Sequence, residues 1–149
     1  MINQPTAPLT TSARDALISE LKRHIDALAN IAVDVRQANR HALLGLAVVS
    51  RLMADVKVMD AYAKYCAASS GFLTKLIKDV TGIEFTFTCD LRTDAEALRA
   101  TYMRQVFRNP SRARDFAMLM MEAILNSAYS TLDEEKARVV VNEHSASTR

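Results

Sequence analysis

The chain has 149 residues, 50% of them hydrophobic, and its 19 basic and 17 acidic side chains give a formal net charge of +2. This length and apolar content allow a buried core, which excludes an intrinsically disordered or collagen-like protein. With 3 glycines the chain lacks a glycine-rich phosphate loop, and with 2 cysteines it lacks the framework of a secreted disulfide-rich domain.

The two ends of the chain predict flexible tails, at residues 1–10 and 142–149, around a single domain at residues 11–141. The N-terminal segment has two prolines and no apolar run, so we expect no signal peptide. The longest apolar run, Ala42 to Val49, is shorter than the roughly 20 residues that span a bilayer. We therefore expect a cytoplasmic protein that does not bind a membrane.

Alanine is the commonest residue type, with 23 copies, and leucine and methionine are also frequent. These side chains lose little or no conformational entropy in a helix, so the composition favours an all-α fold. We predict a compact bundle of five to six helices with at most one short strand pair, near residues 83–89.

The first predicted helix begins near Thr11 or Ser12, whose hydroxyl oxygens can accept the free amides of the first turn, and ends around Asn39–His41. At about 100° per residue its apolar side chains form one stripe. The stripe consists of Leu17, Leu21, Ile25, Leu28, Ile31, Ala32 and Val35. The second predicted helix, Ala42 to Met59, is apolar around its whole circumference, which is typical of a helix buried in a core or against another chain.

Further helix is predicted at residues 60–69 and 72–80, with Gly71 as a hinge between them. Residues 83–89 then alternate between apolar and polar side chains, which is the period of a β-strand. This segment pairs with residues 139–141, pairs with a second copy of the chain, or is an extended loop.

The remaining helices are predicted from capping signals. Thr93 to Glu96 form a capping box that opens a helix ending at about Arg108, where Asn109 and Pro110 break it. Ser111 can cap the next helix, residues 111–130, which is again apolar around most of its circumference. A second capping box, Thr131 to Glu134, predicts a final short helix at residues 132–141.

No catalytic or metal-binding motif is present in the sequence. The spacing of Cys66 and Cys89 matches no zinc site, and we expect two reduced structural thiols. Glu20 and His24 share a helix face, an arrangement that fits a partly buried structural histidine better than a metal ligand or a catalytic base. We therefore expect a protein that is not an enzyme and has no cofactor.

Basic residues are concentrated in residues 92–114, which contain six arginines and two acidic residues, Asp94 and Glu96. Arginine favours bidentate contacts with carboxylate or phosphate groups, so this segment is a candidate partner-binding surface. The surface would include Arg99, Arg104, Arg108, Arg112 and Arg114, with Tyr102 and Phe107 nearby. The alternative is a solvated face neutralised by the acidic end of the chain.

Arg99 lies within the apolar arc of its helix, between residues that a helical wheel places towards the core. A guanidinium in this position extends to solvent along its apolar stem, pairs with a buried carboxylate, or contacts a ligand. These three alternatives have different consequences for stability.

Two helices that are apolar on nearly all sides, 42–59 and 111–130, predict contact with a second chain, because soluble monomers seldom expose large apolar patches. Met118, Met120 and Met121 suit an adaptable interface, although such a cluster also suits a core. The sequence therefore predicts a non-enzymatic, self-associating module that binds another protein and acts as a regulator or an inhibitor that covers a partner's surface. The alternative is a nucleic-acid-binding protein that uses the arginines of residues 92–114.

Overall fold

The computed structural model describes the backbone of residues 9–30 and 35–147 and the side chains of residues 9–30 and 35–132. The described residues form a bundle of five helices and contain no strand, which confirms the predicted all-α fold. The helices are α1 (Thr11–Asn30), α2 (Val35–Leu52), α3 (Val56–Thr81), α4 (Leu91–Val106) and α5 (Pro110–Ser147).

Helix α5 is the centre of the bundle, because it packs against each of the other four helices. Its apolar side chains are therefore buried in several directions at once, including Phe116, Met120 and Met121, which have no exposed surface. The all-round apolar pattern of residues 111–130 reflects this central position.

The first predicted helix is two helices in the structure. Helix α1 ends at Asn30 and α2 begins at Val35, so the predicted end around Asn39–His41 is wrong. The stripe is confirmed within α1, since Leu17, Leu21, Ile25 and Leu28 are all buried. Ile31 and Ala32 lie outside the described residues, and Val35, at the start of α2, is exposed, so its predicted place in the stripe is wrong. The Oγ1 of Thr10, one residue before the predicted cap, accepts from the backbone N–H of Ala13 at 3.0 Å.

The predicted second helix is also two helices in the structure, because residues 53–55 are not helical and Asp55 caps a new helix. The Asp55 carboxylate accepts the backbone N–H of Lys57 at 2.8 Å and caps α3. Helix α3 then continues through Gly71, so the predicted hinge is wrong. It ends at Gly82, which has φ 73° and donates its N–H to the carbonyl of Lys78 at 2.8 Å.

Residues 83–90 form an extended loop against the core, one of the three alternatives for this segment. Ile83 and Phe85 are buried while Glu84 and Thr86 are exposed, which explains the alternating pattern without strand pairing. The loop ends at Asp90, which caps α4 by accepting from the N–H of Thr93 at 3.2 Å. The predicted capping box therefore lies inside α4 rather than at its start.

The break at Asn109 and Pro110 is confirmed, and the side chain of Asn109 rather than Ser111 caps α5 by accepting from the N–H of Arg112 at 3.1 Å. Helix α5 is continuous to Ser147, so the predicted break at Thr131 is wrong. The Thr131 hydroxyl instead donates to the carbonyl of Ala128 at 2.7 Å, within the helix.

The predicted tails are only partly covered by the described residues. Residues 1–8 lie outside them, as do 148 and 149, whereas the backbone is helical at 142–147. The predicted C-terminal tail thus begins as a continuation of α5.

Candidate functional site

The structure separates the arginines that are close in sequence. Arg92 and Arg99 lie two helical turns apart on one face of α4 and line a groove together with Arg51 of α2. Arg104, in the last turn of α4, and Arg108, in the turn after it, are not among the residues that line this groove. The single arginine surface expected for residues 92–114 is therefore two sites.

The groove lies between α2 and α4 and has a volume of about 1090 Å³. Leu46 of α2 and Ala95 of α4 are buried at its floor, with exposed fractions of 8% and 7%. Leu43 at its edge is 37% exposed, so apolar surface remains available to a ligand. We call this site the arginine groove.

The charges around the arginine groove are mainly positive. Arg51, Arg92 and Arg99 are all exposed, and Glu96 is the acidic residue among the residues that line the groove. Three positive charges against one negative charge leave a local excess of two positive charges at neutral pH. An apolar floor with guanidinium groups at its edge suits a ligand that is both apolar and acidic.

Arg99 is exposed at the groove and takes part in none of the ion pairs between the described residues. Arg99 therefore forms no buried ion pair with a described residue of its own chain, while a pair with a carboxylate of a second chain stays a prediction. The buried residues of α4 share one face of the helix, and Arg99 lies at the edge of that face rather than within it. Extension to solvent and contact with a ligand are both compatible with this position.

The second arginine site is the turn between α4 and α5. Arg104, Arg108 and Arg112 are exposed there, and Phe107 between them is 79% exposed. Arg114 is half-buried and pairs with the adjacent Asp115 at 3.2 Å. Tyr102, which we expected near this surface, is fully buried and donates its hydroxyl to the side chain of Asn39.

The predicted methionine surface is mainly core. Met120 and Met121 have no exposed surface, and Met118 is half-buried. Met120 and Met121 therefore cannot touch a partner in this conformation, and the interpretation of the cluster as core applies to both. The same holds for Leu52 of the predicted second helix, which is also fully buried.

The most extensive buried polar cluster surrounds Asp94. Its carboxylate, in a residue 1% exposed, accepts the Tyr62 hydroxyl at 2.7 Å, the Thr88 hydroxyl at 2.7 Å and the Thr88 backbone N–H at 3.0 Å. The pKa of Tyr62 is raised, mainly by burial and secondly by the hydrogen bond to Asp94. Burial and the neighbouring thiol of Cys89 raise the pKa of Cys66 to about 12. Both cysteines are free thiols, and the protonated Cys66 is not a nucleophile at neutral pH.

His24 and His41 join α1 to α2, with 3.1 Å between their Nδ1 atoms. The Nε2 of His24 is 3.8 Å from the carboxylate of Glu20, which places the predicted pair side by side. Burial and the nearby His41 lower the pKa of His24. Among the described residues, no group of three or more His, Cys, Asp or Glu side chains is arranged to hold a metal ion.

Arg51 lies outside the segment predicted to bind a partner, and Arg92 lies within it but was not among the arginines expected to make the contact. Arg92 and Arg99 are seven residues apart on one helix, and this spacing predicts that they share a face. Arg51 gives no such signal, because its place beside α4 depends on tertiary packing.

Comparison of the chain with protein-family models, with curated proteins and with solved structures finds no match. Within residues 9–30 and 35–147, no helix has both the length and the apolar character needed to cross a membrane.

Proposed function

We propose that the protein is a non-enzymatic helical module that binds an acidic amphipathic helix of another protein in the arginine groove. The observation that carries this proposal is the combination of an apolar floor with the exposed guanidinium groups of Arg51, Arg92 and Arg99. We further propose that the protein is cytoplasmic, that it self-associates, and that it acts as a regulator or inhibitor by covering the helix it binds.

The chemistry of the groove defines the ligand. Apolar side chains of the bound helix would contact Leu43 and Leu46, and carboxylates on its flanks would pair with Arg51 of α2 and Arg99 of α4. Docking of an amphipathic helix in an apolar groove is a recurrent mode of peptide recognition. Pairs between exposed charges contribute little affinity each, so we expect them to select the ligand while the apolar contacts provide most of the binding energy.

A displayed library of helical peptides tests this specificity. Selection on the wild-type protein should enrich peptides in which acidic residues flank an apolar stripe. The enrichment should disappear on Arg51→Glu/Arg99→Glu and remain on Arg104→Glu/Arg108→Glu, which carries the same charge change outside the groove. Enrichment of basic peptides, or equal enrichment on both variants, would contradict the proposal.

A second candidate function, nucleic-acid binding, is favoured by the exposed Phe107 among Arg104, Arg108 and Arg112. Single-stranded nucleic acids bind surfaces that combine stacking aromatics with cations. Fluorescence polarisation with a labelled oligonucleotide tests this alternative. If the protein binds nucleic acid at this site, the affinity should fall steeply as the salt concentration rises. Phe107→Ala should reduce the affinity, and Arg51→Glu/Arg99→Glu should have a smaller effect. Absence of binding at low salt would eliminate it.

A further inference from the structure

Helix α3 has two apolar faces, of which one is packed in the bundle. The packed face includes Val58, Tyr62, Cys66 and Ile77, which are buried against the neighbouring helices. The other face consists of side chains spaced three or four residues apart, and it is only partly covered. We call this second face the α3 stripe, and it comprises Ala61, Tyr65, Ala68, Phe72 and Leu76.

The α3 stripe leaves apolar side chains in contact with water. Phe72 is 70% exposed, Ala68 is exposed, and Tyr65 and Leu76 are half-buried. Within the described residues, α3 packs against α5 and, less extensively, α4. An exposed row of this kind at helical spacing indicates a surface that binds another helix.

The charges along α3 indicate which helix fits. Lys57 and Asp60 lie near its start, and Lys75 and Asp79 lie near its end, and all four are exposed. If two copies of α3 cross in antiparallel orientation about Ala68, Lys57 of one copy lies opposite Asp79 of the other. Asp60 of each copy then lies close to Lys75 of the other. A parallel arrangement would place each charged residue beside the same residue of the other copy, and the two like charges would repel each other.

The apolar residues match in the same register. An antiparallel crossing about Ala68 brings Tyr65 of one copy next to Phe72 of the other, and Leu76 next to Ala61. The small side chain of Ala68 at the centre allows the two helices to approach closely. A two-fold axis repeats each of these contacts, as symmetric dimers require.

We infer that two copies of the chain form a symmetric dimer through the α3 stripe, with the two α3 helices antiparallel and crossing near Ala68. The inference rests on the self-association included in the proposed function and is independent of the arginine groove. It replaces the expected contact through residues 42–59 or 111–130, whose apolar side chains form much of the core.

Light scattering after size-exclusion chromatography tests the dimer with a matched pair of variants. At micromolar concentration the wild type should have twice the chain mass of 16.5 kDa, and Phe72→Glu should have the mass of one chain. Phe107→Glu should remain dimeric, because Phe107 is as exposed as Phe72 but lies in the α4–α5 turn. Circular dichroism should show equal helicity for all three proteins.

The outcomes separate the inference from the proposal on which it rests. A monomeric wild type would overturn both self-association and this interface. A dimeric wild type with a dimeric Phe72→Glu variant, or with a monomeric Phe107→Glu variant, would overturn the assignment to the α3 stripe alone.

Thiol cross-linking tests the register. A short bifunctional thiol reagent should couple two chains of Ala68→Cys, whereas Ala67→Cys should give no more coupling than the wild type. Ala67 is also exposed but lies about 100° around the helix from Ala68. Equal coupling of the two variants would overturn the crossing near Ala68.

Discussion

Arg14 of α1 and Asp55 at the start of α3 form a buried ion pair, with 3.3 Å between Nη1 of Arg14 and Oδ2 of Asp55. The two side chains are 3% and 7% exposed. The same carboxylate accepts the N–H of Lys57, so it both begins α3 and attaches that end of the helix to α1. Among the described residues, Arg14 is therefore the buried arginine, whereas Arg99 is exposed.

Replacing Arg14 by methionine should destabilise the fold strongly, because the carboxylate of Asp55 would keep its buried position without this cation. Loss of one partner of a buried ion pair costs about 3–5 kcal/mol. Arg99→Met keeps a similar apolar stem at an exposed site and should leave the free energy of unfolding nearly unchanged. Urea unfolding of the two variants measures both effects, and equal losses of stability would contradict the prediction.

The two glycines within helices should respond differently to alanine. Gly71→Ala should raise the free energy of unfolding by about 0.5–1 kcal/mol, because the new methyl group meets no atom within 4 Å and alanine favours the helix. Gly45→Ala should not show this gain, because its Cβ would lie 2.6 Å from Sδ of the buried Met121 and the methionine side chain would have to move. Thermal unfolding compares them, and destabilisation by Gly71→Ala would contradict the continuous helix α3.

Removing the hydroxyl of Tyr62 should cost more stability than removing that of Tyr102. Tyr62 donates to the buried carboxylate of Asp94, whereas Tyr102 donates to the neutral side chain of Asn39. Hydrogen bonds to charged groups contribute about 1.5–3 kcal/mol and neutral ones about 0.5–1.5 kcal/mol. We expect this order for Tyr62→Phe and Tyr102→Phe in urea unfolding, and the reverse order would show that the Asp94 cluster is weaker than its geometry indicates.

Stability should fall below neutral pH because of His24. Since burial and then His41 lower the pKa of His24 in the fold, the unfolded chain takes up a proton first as the pH falls through about 6.5. The contribution of neutral His24 to the free energy of unfolding is thus fully present above that pH. It is lost progressively as the pH falls towards the lowered pKa of the folded state. The free energy of unfolding should decrease from pH 7.5 to pH 5.5, and the decrease should be smaller in His24→Gln. Identical decreases in both proteins would contradict this assignment.

The sequence predicted the features that depend on local chemistry. The stripe of α1 and the break at Pro110 were confirmed, because periodicity and proline act within a few residues. The ion pair of Asp55 was not predicted, because its partner, Arg14, is 41 positions away and no local pattern indicates such a contact.

The arginine groove was only partly predictable for the same reason. Arg99 was singled out because it did not match its apolar neighbours, and it does line the groove. Arg51 joins it only because α2 packs beside α4. The methionines of α5 were ambiguous, because a helix at the centre of one chain and a helix between two chains have the same pattern.

Photocrosslinking in cells that naturally produce the protein tests most directly whether the groove binds a partner. A photoreactive phenylalanine derivative at Ala47, in the groove, should form a covalent adduct with another protein on irradiation. The same derivative at Ala100, which is exposed on α4 but does not line the groove, should not. The Ala47 adduct should disappear with Arg51→Glu/Arg99→Glu and persist with Arg104→Glu/Arg108→Glu. Equal adducts at both positions, or an Ala47 adduct that survives the groove charge reversal, would contradict binding through the arginine groove.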